Sequence, residues 1–178
     1  MNITIRKEQL HDYKMTEEVV QRAFADMEIS DKKEQELVAR IRQADVFIPE
    51  LSLVATNEND TEIVGHILLS KIKIVSGIQS VESLALAPVA VLPEYQNKGV
   101  GKMLILKALQ KAKELGYSSV VVLGHPRYYP KFGFKAASNW GIQAPFEVPD
   151  EVFMALELQG NALAGVTGIV EYPGVFFE

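Results

Sequence analysis

Two glycines, Gly99 and Gly101, stand where an apolar run of the chain gives way to an amphipathic one, within PEYQNKGVGK (residues 93–102). A glycine has no Cβ, so a bulky anion can approach the backbone there. The first N–H groups of a helix lack internal partners and, with the helix dipole, attract anions. Lys98 and Lys102 add positive charge beside the glycines. The stretch therefore predicts either a phosphate site or a turn that requires glycine.

The order of the residues in this stretch differs from two common nucleotide motifs. It lacks the Gly-x-Gly-x-x-Gly order of a dinucleotide fold and the Gly-Lys-Ser/Thr ending of a P-loop, so a P-loop-like hydrolase is a weak alternative. The chain has no Cys, which removes disulfides, Cys-ligated zinc and Cys nucleophiles. The histidines are scattered, and we expect no metal site. They are His11, His66 and His125.

The elements around the glycines form a strand–helix–strand unit. Residues 82–91 are an apolar strand, but Pro88 lies inside it and has no N–H to donate, so we expect a bulge or a gap in pairing there. Residues 99–115 carry a helical apolar stripe. Residues 118–123 (SSVVVL) are a strand of the buried parallel type. A right-handed crossover must therefore join two parallel strands.

The rest of the chain supplies further strands and two helices. Alternation predicts a strand over residues 2–7, and apolar spacing predicts helices over 13–25 and 32–43. Strands are expected at 50–56 and 63–75, and another at 151–158. Together, the predicted strands and helices indicate an α/β fold with a mixed sheet.

Composition is that of an ordinary globular protein. The 178 residues suit one domain, 1–178, and 48% of them are hydrophobic and 23% charged. Neither a membrane-spanning run nor a signal peptide is evident, so we expect a cytoplasmic protein. The net charge of −5 argues against nucleic-acid binding, but residues 97–131 carry +6 and the remainder −11. A local basic region suits a small polyanionic ligand.

Two runs together resemble one known family. VAVLPEYQNKGVGK (residues 89–102), after a strand broken by Pro88, and YYPKFGF (residues 128–134) are similar to the GCN5-related N-acetyltransferase (GNAT) superfamily, and to its bacterial subgroup of the YhbS type. The resemblance covers about residues 50–158. It implies a mixed, mostly antiparallel central sheet with splayed parallel strands and flanking helices.

The resemblance also implies a cofactor and its site. Acetyl-CoA would enter where the bulged strand splays from its neighbour, its pantetheine arm bonding the strand backbone and its pyrophosphate meeting the amides of the glycine loop, with help from lysines such as Lys131. The residues implied to bind it are Val89, Ala90, Val91, Gln96, Asn97, Lys98, Gly99, Val100, Gly101 and Lys102.

The implied reaction is acyl transfer, most simply of acetyl, by direct attack of a primary amine on the thioester. Tyr129 occupies the family's tyrosine position and would protonate the leaving thiolate; the alternative is that it packs against the cofactor with Tyr128. The base is Glu82, His125 or water. A backbone N–H on the bulged strand, near Ala90 or Val91, would polarise the carbonyl. The competing hypothesis is an acyl-CoA-binding sensor without catalysis.

The amine acceptor cannot be deduced from these residues. A small amine, an amino acid, an antibiotic and a protein lysine or N-terminus all remain open. Trp140 is expected either to wall the acceptor pocket or to form an apolar wall or a dimer contact, and the C-terminal strands are the expected surface for a possible homodimer.

Overall fold

The computed structural model describes residues 2–178, in which nine strands form one mixed sheet. The strands are β1 (Thr4–Lys7), β2 (Ser52–Thr56), β3 (Ile63–Ser76), β4 (Gln79–Val91), β5 (Ser119–Leu123), β6 (Lys135–Ala136), β7 (Ile142–Gln143), β8 (Phe153–Glu157) and β9 (Gly168–Glu171). Their order is β1-β2-β3-β4-β5-β8-β6, with β9 pairing both β3 and β7. The β4–β5 and β7–β9 pairs are parallel and the others antiparallel. The predicted mixed, mostly antiparallel sheet is confirmed.

Helices cover both faces of the sheet. They are α1 (Tyr13–Phe24), α2 (Glu34–Arg42) and α3 (Val100–Glu114), each within two residues of its predicted bounds. On one face, α1 and α2 pack around Leu68 of β3 and Ala90 of β4. On the other, the stripe of α3 that includes Leu104 and Ala108 packs on Ile67 and its neighbours. None of the helices in the described residues is long and apolar enough to cross a membrane.

β4 is irregular at the predicted place. Val89 lies opposite Ile67 of β3, but Leu86 lies opposite Leu69, so β4 has one residue more than β3 between these pairs. Pro88 falls inside that interval, where its missing N–H breaks no regular ladder. The expected bulge is therefore confirmed.

β4 and β5 separate from residue 86 of β4 onward. In the described part of the chain the two strands pair at Leu84–Val120 and Ala85–Val121, whereas β4 continues to Val91. The edge of β4 that faces β5 is consequently unpaired by β5 along residues 86–91. This opening, called the split below, is the V-shaped gap that the family resemblance implied.

The last residues of the chain lie against α2 and the sheet. β9 pairs antiparallel with β3 at residues 73–75, and a short 3-10 helix follows at Gly174–Phe176. Arg40 of α2 donates from Nε to the carbonyl oxygen of Val175 at 2.9 Å. This hydrogen bond fixes the C-terminal segment beside α2.

Candidate active site

The start of α3 is the segment that the sequence predicts as an anion cradle. Gly99 is the N-cap and has φ +84°, a left-handed conformation that favours glycine, and Asn97 is left-handed as well (φ +63°). The N–H of Met103 donates to the carbonyl oxygen of Gly99 at 3.0 Å. The N–H groups of Val100, Gly101 and Lys102 precede this first helical bond, so they have no partner within the helix. They are available to an anion at the positive end of the helix dipole.

A cavity of about 580 Å³ connects this cradle to β4 and is called the groove below. Two lysines, Lys102 and Lys131, bring positive charge to its wall, and the Lys131 Nζ lies 4.0 Å from the centre of the Tyr128 ring. The lining residues are Met27, Val89, Val91, Tyr95, Gln96, Asn97, Gly99, Val100, Gly101, Lys102, Tyr128 and Lys131. Eight of the ten predicted cofactor residues are therefore brought together in one cavity.

The two remaining predicted cofactor residues lie elsewhere. Ala90 is buried and packs toward α1 and α2 on the opposite face of the sheet. The Lys98 Nζ lies 5.8 Å from the centre of the Tyr95 ring, and Lys98 does not line the groove. Strand alternation explains why the side chain of Ala90 does not line the groove, because successive side chains of a strand point to opposite faces.

Hydrogen bonding shows which backbone groups of β4 face the split. The N–H of Leu92 donates to the carbonyl oxygen of Val64 in β3, at 2.9 Å. Because bonded and non-bonded residues alternate along an antiparallel pair, the N–H of Ala90 also points to β3, whereas those of Val89 and Val91 point to the split. Gln96 Nε2 donates to the carbonyl oxygen of Val91 at 3.0 Å, which agrees with this direction.

Tyr129 follows β5 and packs against Gly124, and it does not line the groove. It opens a short 3-10 helix, Tyr129–Phe132. A Cβ added to Gly124 would lie 2.3 Å from Cε2 of Tyr129, so only glycine at this position lets the ring lie against the backbone. The side chain is 8% exposed, and burial raises the pKa of its phenol to about 12. The hydroxyl is therefore protonated throughout the physiological range.

Three residues of the groove, Met27, Tyr95 and Tyr128, were not among the predicted cofactor residues. The Tyr128 hydroxyl lies 3.5 Å from the position that a Cβ on Gly101 would occupy, so it reaches the cradle as well as packing. Met27, just beyond α1, also lines the groove. Nothing in its local sequence distinguishes Met27, but the aromatic pair at 128–129 did carry a signal for Tyr128.

Neither predicted base candidate lines the groove. Glu82 is exposed, lies opposite Lys73, and borders a separate cavity with Asp45 and Glu171. It precedes Pro88 by six residues, about 20 Å along an extended strand. His125 is exposed in a turn in which its Nδ1 accepts a hydrogen bond from the N–H of Arg127 at 3.1 Å. That His125 or Glu82 acts as the base stays a prediction.

His66 belongs to the protein interior. Its Nδ1 lies 2.9 Å from the carbonyl oxygen of Leu53, and its Nε2 is buried without a hydrogen-bond partner in the described residues. Burial lowers the pKa of the imidazole to about 4. Within residues 2–178 no group of three or more His, Asp or Glu side chains is arranged to hold a metal ion.

Comparison with known proteins agrees with this geometry. Residues 16–134 match the model of the acetyltransferase (GNAT) family. The chain is 40% identical over 120 residues to the uncharacterized N-acetyltransferase YjhQ of Escherichia coli, a match that covers 67% of this chain and 65% of YjhQ. The crystal structure of Escherichia coli YhbS in complex with CoA superposes with a TM-score of 0.88 at 28% identity, covering 100% of this chain and 93% of YhbS. The crystal structure of a GNAT family acetyltransferase from Brucella melitensis in complex with acetyl-CoA superposes with a TM-score of 0.80. The two chains are 31% identical, and the match covers 98% of each.

Proposed function

The chain belongs to the acetyltransferase (GNAT) family, and from that premise we propose that it binds acetyl-CoA in the groove and transfers the acetyl group to an amine. One observation carries the proposal: the free edge of β4 at Val89 and Val91 and the unbonded N–H groups at the start of α3 line the same cavity. The two similar structures that hold CoA and acetyl-CoA support the same ligand for this chain.

In the proposed complex the pantetheine arm lies along β4 as an added strand. Val89 and Val91 supply N–H and C=O groups on that edge, and Ala90 does not, because its polar groups are turned toward β3. The Gln96 amide would have to leave the carbonyl oxygen of Val91 for the arm to bond there. The pyrophosphate accepts hydrogen bonds from the N–H groups of residues 100–102.

The proposed reaction needs no acyl-enzyme. The nitrogen of a neutral amine attacks the thioester carbonyl carbon, a C–N bond forms, and the C–S bond breaks. The amide loses its extra proton to solvent, and the sulfur leaves as the thiol of CoA after gaining a proton. An N–H of β4 on the split side, from Val89 or Val91, stabilises the oxyanion in this scheme.

We assign the acid role to Tyr129 and leave the amine proton to water. The Tyr129 phenol is neutral, and its ring lies against Gly124 just beyond the end of β5, one of the two strands that border the split. Tyr129 does not line the groove, so its position in the family motif supports this assignment. His125 is a poor acceptor in its neutral form, because an Nδ1 that accepts from Arg127 leaves the proton on Nε2. Glu82 is too far along β4 from the bulge to take part directly.

Two measurements test the proposal. Isothermal titration calorimetry should show acetyl-CoA binding, and detection of free CoA thiol should show release that depends on an added amine. Binding without release for any amine in a broad panel would support a sensor instead of an enzyme. No binding of acetyl-CoA would contradict both functions.

A further inference from the structure

A second cavity, of about 290 Å³, lies on β4 on the other side of Pro88 from the groove and is called the aromatic pocket below. Ala85, Leu86 and Ala87 of β4 line it, whereas Val89 and Val91 line the groove. The remaining lining residues are Leu37, Val121, Leu123, Phe146, Tyr172, Phe176 and Phe177. The split, along residues 86–91 of β4, takes in Leu86 and Ala87 of the aromatic pocket as well as Val89 and Val91 of the groove, so the two cavities border the same opening.

The lining of the aromatic pocket carries no side chain with a formal charge. Its one ionisable group is the phenol of Tyr172, whose pKa burial raises to about 12, so it too is neutral. Leu123, Phe146 and Phe177 line the pocket although they are 47%, 41% and 67% exposed. Large apolar side chains that converge on an open cavity are typical of a site for an apolar ligand.

The aromatic wall is held in place by its neighbours. The Tyr172 ring stacks on the Phe146 ring, with their centroids 6.2 Å apart. The centroids of the Phe176 and Phe177 rings lie 5.2 Å and 6.5 Å from that of Tyr172. Tyr172 directly follows β9, and the hydrogen bond from Arg40 to Val175 ties this segment to α2. A wall fixed before binding loses little side-chain entropy when a ligand arrives.

We propose that the aromatic pocket holds the acceptor and that the acceptor is a primary amine on a hydrophobic alkyl or aryl group. This inference rests on the proposed function, since it names the substrate class of the same site. An amino-acid carboxylate or the second ammonium of a polyamine would lose its hydration here without gaining a charged partner. An apolar surrounding also favours the neutral form of the attacking amine over its ammonium form.

The size of the pocket sets an upper limit on the acceptor. At about 30 Å³ per water-sized group, the cavity takes about ten non-hydrogen atoms. Hexylamine and 2-phenylethylamine fit within this limit. A protein N-terminus or lysine could insert only its side chain or first residue, and its flanking polar backbone would remain outside.

A homologous series of amines tests the substrate class. From propylamine to hexylamine, kcat/KM for CoA thiol release should rise about three- to fourfold per added methylene, the value for burying one such group. 2-Phenylethylamine should match hexylamine, whereas ethanolamine, glycine and putrescine should react far more slowly. A flat series, or a preference for the charged or polar amines, overturns the inference and leaves acetyl transfer intact.

Two matched variants test whether the aromatic pocket is responsible for the preference for hydrophobic amines. Phe177→Ala removes an aromatic group from the pocket and should lower kcat/KM for hexylamine several-fold, with the KM for acetyl-CoA unchanged. Ile78→Ala removes a fully exposed apolar side chain from the β3–β4 turn and should change neither. Equal loss in both variants, or no loss in Phe177→Ala, contradicts the assignment of the pocket.

A binding measurement separates this inference from the proposed function. Saturation-transfer NMR should detect hexylamine on the wild-type protein and on Ile78→Ala, and a weaker signal on Phe177→Ala, with or without CoA. If calorimetry shows no acetyl-CoA binding, the proposed function fails, and the pocket is then judged on this signal alone. Absence of the hexylamine signal from the wild-type protein overturns the pocket.

Discussion

Tyr129 is the residue on which the proposed chemistry depends most. Its ring rests against Gly124 at the end of β5, and its hydroxyl proton is retained to high pH because the side chain is buried. Tyr129→Phe keeps the ring and removes only that proton. We expect kcat to fall about a hundredfold, the lower range for losing a general acid, with little change in the KM for acetyl-CoA.

The matched control for this substitution is Tyr117→Phe, which removes a phenol packed beyond the C-terminal end of α3. Steady-state rates of thiol release measure both variants with the same amine. Unchanged kcat in Tyr129→Phe would leave Tyr129 with a packing role only.

His66 makes stability depend on pH. Its folded pKa of about 4 lies below the unfolded value of about 6.5, so the unfolded chain binds the extra proton between these pH values. The stabilisation is complete above pH 6.5 and is lost as the pH falls toward 4. The loss from this one residue amounts to about 3 kcal/mol of unfolding free energy, at 1.36 kcal/mol per pKa unit.

Urea unfolding between pH 4 and 7 measures this contribution. His66→Gln should show a shallower decline in unfolding free energy than the wild-type protein. Parallel slopes for His66→Gln and the wild-type protein would show that the imidazole titrates normally in the fold.

At the scale of elements, α3 offers a comparison between its two ends. Gly99 before its first residue and Gly116 after its last are both left-handed (φ +84° and +90°), and neither would bring a Cβ within 4 Å of another atom. Gly99→Glu and Gly116→Glu therefore cost similar backbone strain. Only Gly99→Glu places a carboxylate at the cradle, so only this variant should lose acetyl-CoA binding by calorimetry.

The paired design separates strain from charge. Thermal unfolding should show comparable destabilisation in Gly99→Glu and Gly116→Glu. If Gly99→Glu binds acetyl-CoA normally, the start of α3 is not the phosphate site. If Gly116→Glu also loses binding, the loss comes from destabilisation of the helix.

The elements that carry strong local signals were predictable from the sequence. The stripe of α3, the apolar run of β5 and the proline in β4 each correspond to an observed feature, because periodicity and a missing N–H act locally. Glu82 shows what the local sequence pattern could not predict. β4 begins at Gln79, three residues before its predicted start, and its pairing with β3 places Glu82 opposite Lys73, far from the bulge. Register is set by the partner strand, which no local pattern reveals.

The aromatic pocket was beyond sequence reasoning for a related reason. Phe146, Tyr172 and Phe177 are distant in the chain from Leu37 and from β4, and they meet only because β9 pairs with β3. Trp140, for which the sequence left a pocket wall or a dimer contact open, does not line the aromatic pocket but packs in the apolar cluster that contains Ile142 and Phe153. The residues proposed as the cradle are contiguous, so a local pattern could bring them together, whereas the pocket is assembled from five segments.

Positive charge is concentrated in one region of a chain that is acidic as a whole. Residues 97–131 carry +6 within a chain of net charge −5, and this region contains the cradle, α3 and Lys131. At 0.1 M salt the Debye length is about 10 Å, so exposed charges beyond that distance contribute little to binding. The lysines that line the groove should then outweigh the more distant acidic surface for an anionic ligand.

This separation by distance predicts which lysines govern acetyl-CoA affinity. Lys102→Gln and Lys131→Gln each remove an exposed cation from the groove and should weaken acetyl-CoA binding about two- to fivefold at 0.1 M salt, the range for exposed ion pairs. Lys107→Gln removes the same charge from α3 where it lines another cavity, and it should leave affinity unchanged. Calorimetry at 0.1 M and 1 M salt should show these differences shrinking as screening increases. Equal effects for all three lysines would mean that net charge, and not the arrangement of charge around the groove, attracts the ligand.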